Sequence, residues 1–248
     1  MRNALLLALV LASVEGKDRT KPLHVFDVVS ADGTRLDGPR MPRVVLVLQK
    51  AGIPLEVLKR SPAPTVNENL VVIDDVRLLR ATDPPGEAHR RPSFVIDYDE
   101  KSFAPVAQAA ASAGKQPNAL RQMVRGYITN KSGQRGFDPA SVVAVRKEGD
   151  CTEHAVLLAA AARSVGLPAR VVLGIVLVQG KKTVGGIGHA WTEIHDGTGW
   201  QVVDAALPDD PTPRVYVPFS VMTDEGPGFR LTGVAALHVR QVRLEPRP

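Results

Sequence analysis

Cysteine is almost absent from this chain, which has one cysteine, Cys151, among 248 residues. No intramolecular disulfide can therefore form. A chain of this length can bury a sufficient hydrophobic core without such cross-links. Hydrophobic residues make up 44% of the sequence and charged residues 23%, as in ordinary globular proteins. This composition excludes a disordered, collagen-like or low-complexity chain.

Aromatic residues are also scarce, at 4% of the sequence, and 31 Lys and Arg residues against 26 Asp and Glu give a net charge of +5. A nucleic-acid interface usually combines a cluster of basic residues with aromatic rings that stack on bases. The basic residues here are dispersed, as at Arg90, Arg91, Lys181, Lys182, Arg240 and Arg243. We therefore expect no nucleic acid as a partner. A modest positive charge instead suits acidic surfaces such as cell-wall polymers.

Apolar runs of membrane-spanning length are missing. Residues 4–12 form a short apolar run behind a positively charged start, whereas a transmembrane helix needs roughly 20 residues. The layout is that of a secretory signal peptide, so we predict that residues 1–16 form one and that the protein is periplasmic or secreted. The region around residues 12–16 has small residues but no A-x-A cleavage site, and a buried N-terminal segment is the alternative. We expect no stable membrane insertion of the mature chain.

The rest of the chain changes character near residue 103. Residues 17–102 contain short apolar runs separated by glycine and proline, which predicts a β-rich N-terminal domain. Residues 103–248 form the second predicted domain, in which helices are followed by longer strands. Helices are predicted at residues 103–113, 117–129 and 152–165. Strands are predicted at residues 23–29, 44–48, 55–58, 70–79, 94–96, 169–178, 189–195, 200–204, 214–219 and 231–242.

The clearest chemical signal lies where the chain enters the third predicted helix. Asp150 is a good N-cap, and Glu153 three residues later completes a capping-box pattern, which puts Cys151 at the first helical position. The partial positive charge of a helix N-terminus favours the thiolate, which is the nucleophilic form of cysteine. The neighbouring Asp150 carboxylate opposes a second negative charge. Cys151 is thus a candidate nucleophile, and a buried structural cysteine is the alternative.

A thiol that attacks an amide needs a base that can later give a proton to the leaving amine, and histidine suits both tasks. His189 is the candidate because the segment that contains it predicts a β-hairpin with its turn at Asp196. A two-residue turn places His189 directly opposite Asp204, and a four-residue loop over residues 196–199 makes the two diagonal neighbours on one face. An odd loop would put them on opposite faces. In either even case Asp204 can orient the imidazole.

His154 is a rival base, since it lies three residues after Cys151 and shares its helix face. A side chain this close on the same helix runs alongside the cysteine side chain and does not point at it. We therefore predict that His154 lies behind the site or in the capping turn. The spacings typical of zinc and calcium sites are missing. We therefore expect neither a metal nor another cofactor.

Three motifs, in this order along the chain, resemble those of bacterial transglutaminase-like domains. They are GDCTEHA at residues 149–155, GHAWTE at residues 188–193 and WQVVD at residues 200–204. The resemblance covers roughly residues 120–206. It implies an α+β fold with a papain-like core, in which the helix bearing Cys151 packs on an antiparallel sheet. A β-rich N-terminal region precedes that core here.

The resemblance also implies a chemistry, namely acyl transfer through a thiol. Cys151 is then the nucleophile, His189 the general acid and base, and Asp204 the carboxylate that orients the imidazole. The backbone N–H of Cys151 is one candidate donor to the oxyanion, and the second donor is open. Trp191 either lines the acyl channel or packs in the core.

Because bacterial relatives are often proteases or amidases, we expect a cysteine-dependent hydrolase of peptide or isopeptide amides. Its expected partner is a peptide or protein substrate, which can belong to the cell wall. Two alternatives stay open: a non-catalytic module that binds peptide or cell-wall polymer in the same groove, and a transglutaminase that cross-links proteins. The sequence leaves the substrate and the oligomeric state open.

Overall fold

The computed structural model describes residues 25–131, 137–222 and 237–247. The predicted signal peptide, residues 1–16, lies outside these described residues. So do the first residues of the strand predicted at 23–29 and much of the one predicted at 231–242.

The α-helices of the described residues are α1 (Ala104–Ala113), α2 (Pro117–Tyr127), α3 (Ala140–Arg146) and α4 (Cys151–Ser164). Proline stands in the first turn of α1 and of α2, where its missing N–H costs no hydrogen bond. Gly166, with φ of 85°, follows α4 in a left-handed conformation that favours glycine. The three predicted helices are present within two residues at each end, and α3 is an addition to them. None of these helices is both long and apolar enough to traverse a lipid bilayer.

The strands within the described residues form three sheets. The strands are β1 (Val25–Phe26), β2 (Val28–Ser30), β3 (Arg43–Leu48), β4 (Arg60–Ser61), β5 (Thr65–Asn67), β6 (Leu70–Ile73), β7 (Arg80–Ala81), β8 (Ala169–Gln179), β9 (Val184–His195), β10 (Trp200–Val203), β11 (Arg214–Met222) and β12 (Val239–Glu245). The first sheet has the order β1-β9-β8-β11 with β10 also paired to β9, and all its pairs are antiparallel. The second has the order β2-β12-β3-β6-β5, and β4 pairs with β7.

Helix α4 packs on the first sheet. Every residue from Thr152 to Arg163 is buried, as its apolar composition all round predicts. The helix shares one hydrophobic core with residues of β8 and β9, among them Val171 and Ile194. Thr192 of β9 also donates its hydroxyl to the Ala155 carbonyl at 2.9 Å. The fold is therefore α+β, with the cysteine-bearing helix on an antiparallel sheet, as expected.

The second sheet consists largely of strands from the β-rich region that precedes this core. It packs on residues of β8 and β11 in the first sheet. Leu46 of β3 shares a hydrophobic cluster with Ile175 of β8 and Val217 of β11. Its strand β12 lies between β2 and β3, although it comes from the far end of the chain. The division of the chain into residues 17–102 and 103–248 stays a prediction.

A chain of buried charges also connects the N-terminal region to the first sheet. Glu193 of β9 accepts hydrogen bonds from Arg60 at 2.9 and 3.2 Å and from Arg170 of β8 at 2.9 Å. Arg170 in turn pairs with Asp83. Arg60, Arg170 and Glu193 are each at most 6% exposed. Burial of such charges is tolerated because each of them has a partner.

Two strand predictions in the N-terminal half were wrong, and a third was wrong in part. The segment at 55–58 is covered by a 3-10 helix, Glu56–Lys59. The segment at 70–79 is a strand only to Ile73, because Asp75 then accepts a hydrogen bond from the Arg77 amide and caps a second 3-10 turn. The segment at 94–96 forms no strand. Short apolar runs of this kind bury side chains without fixing the backbone conformation.

Candidate active site

Cys151 is the first residue of α4, as its capping pattern predicts. The Asp150 side chain accepts a hydrogen bond from the Thr152 amide at 2.9 Å, and the Glu153 side chain accepts one from the Asp150 amide at 3.0 Å. The predicted capping box is thus confirmed. Gly149 lets Glu153 fold back, because a Cβ at this glycine would lie 2.2 Å from the Glu153 Cβ. Cys151 itself is half-buried.

His189 and Asp204 meet on the β9–β10 hairpin. His189 Nε2 lies 2.7 Å from Asp204 Oδ2. Trp200 pairs with His195, and Val203 pairs with Thr192. The hairpin therefore has the four-residue loop, and His189 and Asp204 are diagonal neighbours.

The two-residue turn, which would have put His189 directly opposite Asp204, is wrong. The Asp196 side chain accepts hydrogen bonds from the amides of Thr198 and Gly199 at 2.9 and 3.1 Å. These bonds stabilise a longer loop than the Asp-Gly pair alone suggests.

Both oxygens of the Asp204 carboxylate accept hydrogen bonds. Its Oδ1 accepts from the amides of Ala206 and Leu207 at 2.8 and 3.2 Å. Its Oδ2 accepts from the Tyr216 hydroxyl at 2.9 Å, besides its contact with His189. Burial by itself would raise the pKa of Asp204, but the positive charge of His189 and these hydrogen bonds outweigh it and hold the pKa well below its usual range.

His189 is placed between a carboxylate and a thiol. Since Nε2 contacts Asp204, Nδ1 is the ring nitrogen that remains for Cys151, whose side chain lies near enough to affect the pKa of His189. Burial lowers the pKa of His189, but the charge and hydrogen bond of Asp204, together with Cys151, outweigh it and raise the pKa to about 10. The ring is therefore an imidazolium at neutral pH. The structure thus brings all three residues singled out in the sequence into one cluster.

Two aromatic side chains hold the imidazole from the sides. Trp191 is stacked on His189 with ring centroids 6.4 Å apart, and Tyr216 touches both rings. Trp191 is 1% exposed, so it packs in the core rather than lining an open channel. Gly174 gives it room, because a Cβ there would lie 2.8 Å from the Trp191 ring. The sequence does not point to Tyr216, since a tyrosine in a predicted strand carries no signal of its partner.

His154 contacts the start of its own helix. Its Nδ1 lies 2.6 Å from the Asp150 carbonyl oxygen, and burial lowers the pKa of this histidine to about 4. It is therefore neutral near pH 7 and belongs to the capping turn, one of the two positions that the sequence predicts for it.

A cavity of about 680 Å³ lies next to the His189–Asp204 pair, and Asp204 and Tyr216 are among the residues that line it. Arg121 of α2 and Arg214 of β11 also line it and pair with Asp209 and Asp210 at its rim. Within the described parts of the chain, no group of three or more His, Cys, Asp or Glu side chains has the arrangement of a metal site.

One known protein family resembles part of this chain. Residues 102–205 match the model of the transglutaminase-like superfamily, a stretch that runs from just before α1 to the residue after Asp204. Over these residues the chain is similar to transglutaminase-like domains. A search of curated protein sequences returned no match.

Solved structures are similar at low sequence identity. A "putative cysteine protease" from Cytophaga hutchinsonii is 15% identical over 81% of this chain and 79% of its own, with a TM-score of 0.44. The periplasmic domain of TgpA from Pseudomonas aeruginosa is 18% identical over 67% of this chain and 65% of its own, with a TM-score of 0.40. The same domain bound to ethylmercury is 22% identical over 48% and 46%, with a TM-score of 0.35.

Proposed function

We propose that the chain is a cysteine-dependent protease or amidase that cleaves peptide or isopeptide amides through an acyl-enzyme on Cys151. One observation carries this proposal. A thiol at the first position of a buried helix interacts with an imidazole whose Nε2 contacts a buried carboxylate at 2.7 Å. A nucleophile, a base and a group that orients the base are the parts that covalent acyl transfer requires.

Acylation begins with attack of the Cys151 sulfur on the amide carbonyl carbon. The new C–S bond gives a tetrahedral oxyanion, for which the Cys151 backbone N–H at the open end of α4 is one donor. When the C–N bond breaks, His189 Nδ1 gives its proton to the leaving nitrogen, and an amine departs. A thioester remains on Cys151, and Asp204 keeps the imidazole ring in place through Nε2.

Deacylation reverses these roles. His189, now neutral, takes a proton from water while the water oxygen attacks the thioester carbon. The C–S bond breaks, the carboxylic acid leaves, and the imidazolium and thiolate are restored. An amine in place of this water would form a new amide bond, which is the cross-linking reaction left open by the sequence.

Peptides or proteins are the proposed substrates, including those attached to the cell wall. The cavity beside Asp204 and Tyr216 has a volume typical of ligand pockets, and Asp204 is the one member of the Cys151, His189 and Asp204 cluster that lines it. Residues 1–16 support export of the protein. In that case N-terminal sequencing of material from the periplasm or medium will find a chain that begins near residue 17, and an intact Met1 there would contradict export by this route.

The test is Cys151→Ala compared with the unchanged protein. We expect the alanine variant to keep its circular dichroism spectrum and to lose hydrolysis of a peptide library. The unchanged protein, quenched in acid, should carry a peptide fragment on Cys151 that mass spectrometry can identify. Equal hydrolysis by the alanine variant would end the proposal. Incorporation of a labelled amine into a glutamine-containing protein, without hydrolysis, would favour cross-linking.

A further inference from the structure

Tyr216 and His189 bind the same oxygen atom of Asp204. The Tyr216 hydroxyl donates to Oδ2 at 2.9 Å, and His189 Nε2 lies 2.7 Å from it. The other oxygen, Oδ1, is occupied by the amides of Ala206 and Leu207. The two donors on Oδ2 therefore compete for its negative charge.

Orientation of the carboxylate does not require the tyrosine. The two amides on Oδ1 belong to the loop that directly follows Asp204, and they fix the carboxylate within its own segment. Tyr216 instead comes from β11, which is separated from β9 by β8. The side chain of the half-buried Tyr216 reaches across the sheet to the oxygen that also faces the imidazole. Because the hydroxyl donates to the oxygen that faces the imidazole, this contact also acts on the charge that His189 experiences.

We propose that Tyr216 is a positioning residue of the active site: by sharing Oδ2 it takes up part of the Asp204 charge and so keeps His189 able to release its proton. A hydrogen bond to a carboxylate stabilises the charged form and makes it a weaker partner for a second donor. An imidazolium bound too tightly would be a poor acid for the leaving amine, because general acids work best when their pKa lies near the operating pH. The effect on turnover rests on the proposed function, whereas the effect on His189 does not.

Other charges around this group come from several elements and stay the same when only the hydroxyl is removed. They are Cys151 on α4, Arg121 and Arg125 on α2, His154 on α4 and Arg214 on β11. Tyr216→Phe therefore isolates one hydrogen bond on Oδ2. Tyr127→Phe is the matched control, because its hydroxyl donates to the Ala144 carbonyl at 3.0 Å, on helices α2 and α3.

The direct readout is the pKa of His189, followed by NMR of histidine labelled in the ring and assigned with His189→Gln. We expect Tyr216→Phe to raise this pKa above its value of about 10 in the unchanged protein. Asp204→Asn should lower it, and Tyr127→Phe should leave it unchanged. An unchanged or lowered pKa in Tyr216→Phe would overturn the proposal, since a lowered value would mean that the tyrosine only holds Asp204 in place.

A second measurement changes the acidity of the Tyr216 hydroxyl without removing it. The chain has three tyrosines, so a Tyr98→Phe, Tyr127→Phe background leaves Tyr216 as the single site for biosynthetic incorporation of 3-fluorotyrosine. The more acidic fluorophenol is a stronger donor, and we expect it to lower the pKa of His189, opposite to Tyr216→Phe. No shift on fluorination would count against the proposal even if Tyr216→Phe failed to fold.

Turnover gives the functional readout. We expect Tyr216→Phe to reduce kcat for an amide substrate by about three- to tenfold, the size expected when a general acid is made weaker by roughly one pKa unit, with KM unchanged. A raised KM at constant kcat would assign Tyr216 to substrate binding and overturn the proposal. If Cys151→Ala retained activity, the proposed function would fail while the NMR result still decided the role of Tyr216.

Discussion

His189 and Asp204 form their 2.7 Å contact as diagonal neighbours, not as a directly opposite pair. Asp204 directly follows Val203, the last paired residue of β10. If the β9–β10 register is extended by this one residue, Trp191 lies opposite Asp204. Asp204 is therefore free to turn its carboxylate toward His189 while its other oxygen binds the amides of the following loop. The residue that directly follows β10 thus contacts the imidazole on β9, the other strand of the hairpin.

The first prediction concerns the alkaline limit of amide hydrolysis. His189 must carry a proton to protonate the leaving amine, and Asp204 and Cys151 raise its pKa to about 10. Activity should therefore persist through mildly alkaline pH and fall as the pH passes about 10, when the imidazolium is lost. The measurement is kcat against pH for a peptide anilide. A limit near the ordinary histidine value of about 6.5 would contradict it.

Activated esters supply the control for this pH profile. Their leaving phenolate needs no proton from His189, so the alkaline fall should be weaker for a nitrophenyl ester than for the anilide. An equal fall for both substrates would point to unfolding rather than to loss of the general acid.

The sequence pointed to the residues of this site more clearly than to their arrangement in space. Cys151, His189 and Asp204 could be found because a capping box and a hairpin of even loop length are local patterns. The loop length itself depended on the hydrogen bonds of the Asp196 side chain, which a dipeptide preference does not specify. Tyr216 could not be found, because its contact joins β11 to the end of β10 through pairings that no local pattern encodes. The position of β12 was missed for the same reason.

A second prediction follows from two buried neighbours on α4 with opposite pH dependence. Burial lowers the pKa of His154 to about 4, so the unfolded chain takes up its proton first and stability is lost as pH falls from about 6.5 toward 4. Burial and the Asp150 charge raise the pKa of Glu153 to about 7, so stability is lost as pH rises from about 4.5 toward 7. Each effect is on the order of 3 kcal/mol, and they oppose one another between about pH 4.5 and 6.5.

Single variants separate these effects in urea unfolding at several pH values. Glu153→Gln keeps the capping geometry and should leave a protein that loses stability toward acid pH. His154→Gln should leave one that loses stability toward neutral pH. Parallel pH curves for the two variants would refute the assignment.

The third prediction concerns the buried charges between the N-terminal region and the first sheet. Glu193→Gln removes the negative charge that Arg60 and Arg170 share and leaves these buried guanidinium groups with one acidic partner each, Glu56 for Arg60 and Asp83 for Arg170. We expect a loss of about 3–5 kcal/mol in the free energy of unfolding, measured with urea. Asp37→Asn, at an exposed pair with Arg35, is the matched control and should change nothing measurable. A loss below about 1 kcal/mol in Glu193→Gln would show that the network is not needed.

The fourth prediction concerns Gly174, which pairs with His189 on one side and Pro218 on the other. A Cβ here would lie 2.1 Å from the Val217 carbonyl oxygen, and a strand backbone cannot move away cheaply. Gly174→Ala should therefore cost at least about 3 kcal/mol or prevent folding. Gly126→Ala, in open space on α2, should instead stabilise the protein by about 0.5–1 kcal/mol. Thermal melts compare the two, and equal melting temperatures would refute the packing argument.

The place of β12 has a consequence for biosynthesis. This strand, Val239–Glu245, lies between β2 and β3, so β2 and β3 cannot join in one sheet until residues 239–245 have been synthesised. On the ribosome β2 and β3 keep unpaired edges, which are sites of wrong association. Premature termination anywhere before residue 239 therefore leaves an N-terminal half that cannot close, even when the cysteine, histidine and aspartate have all been synthesised.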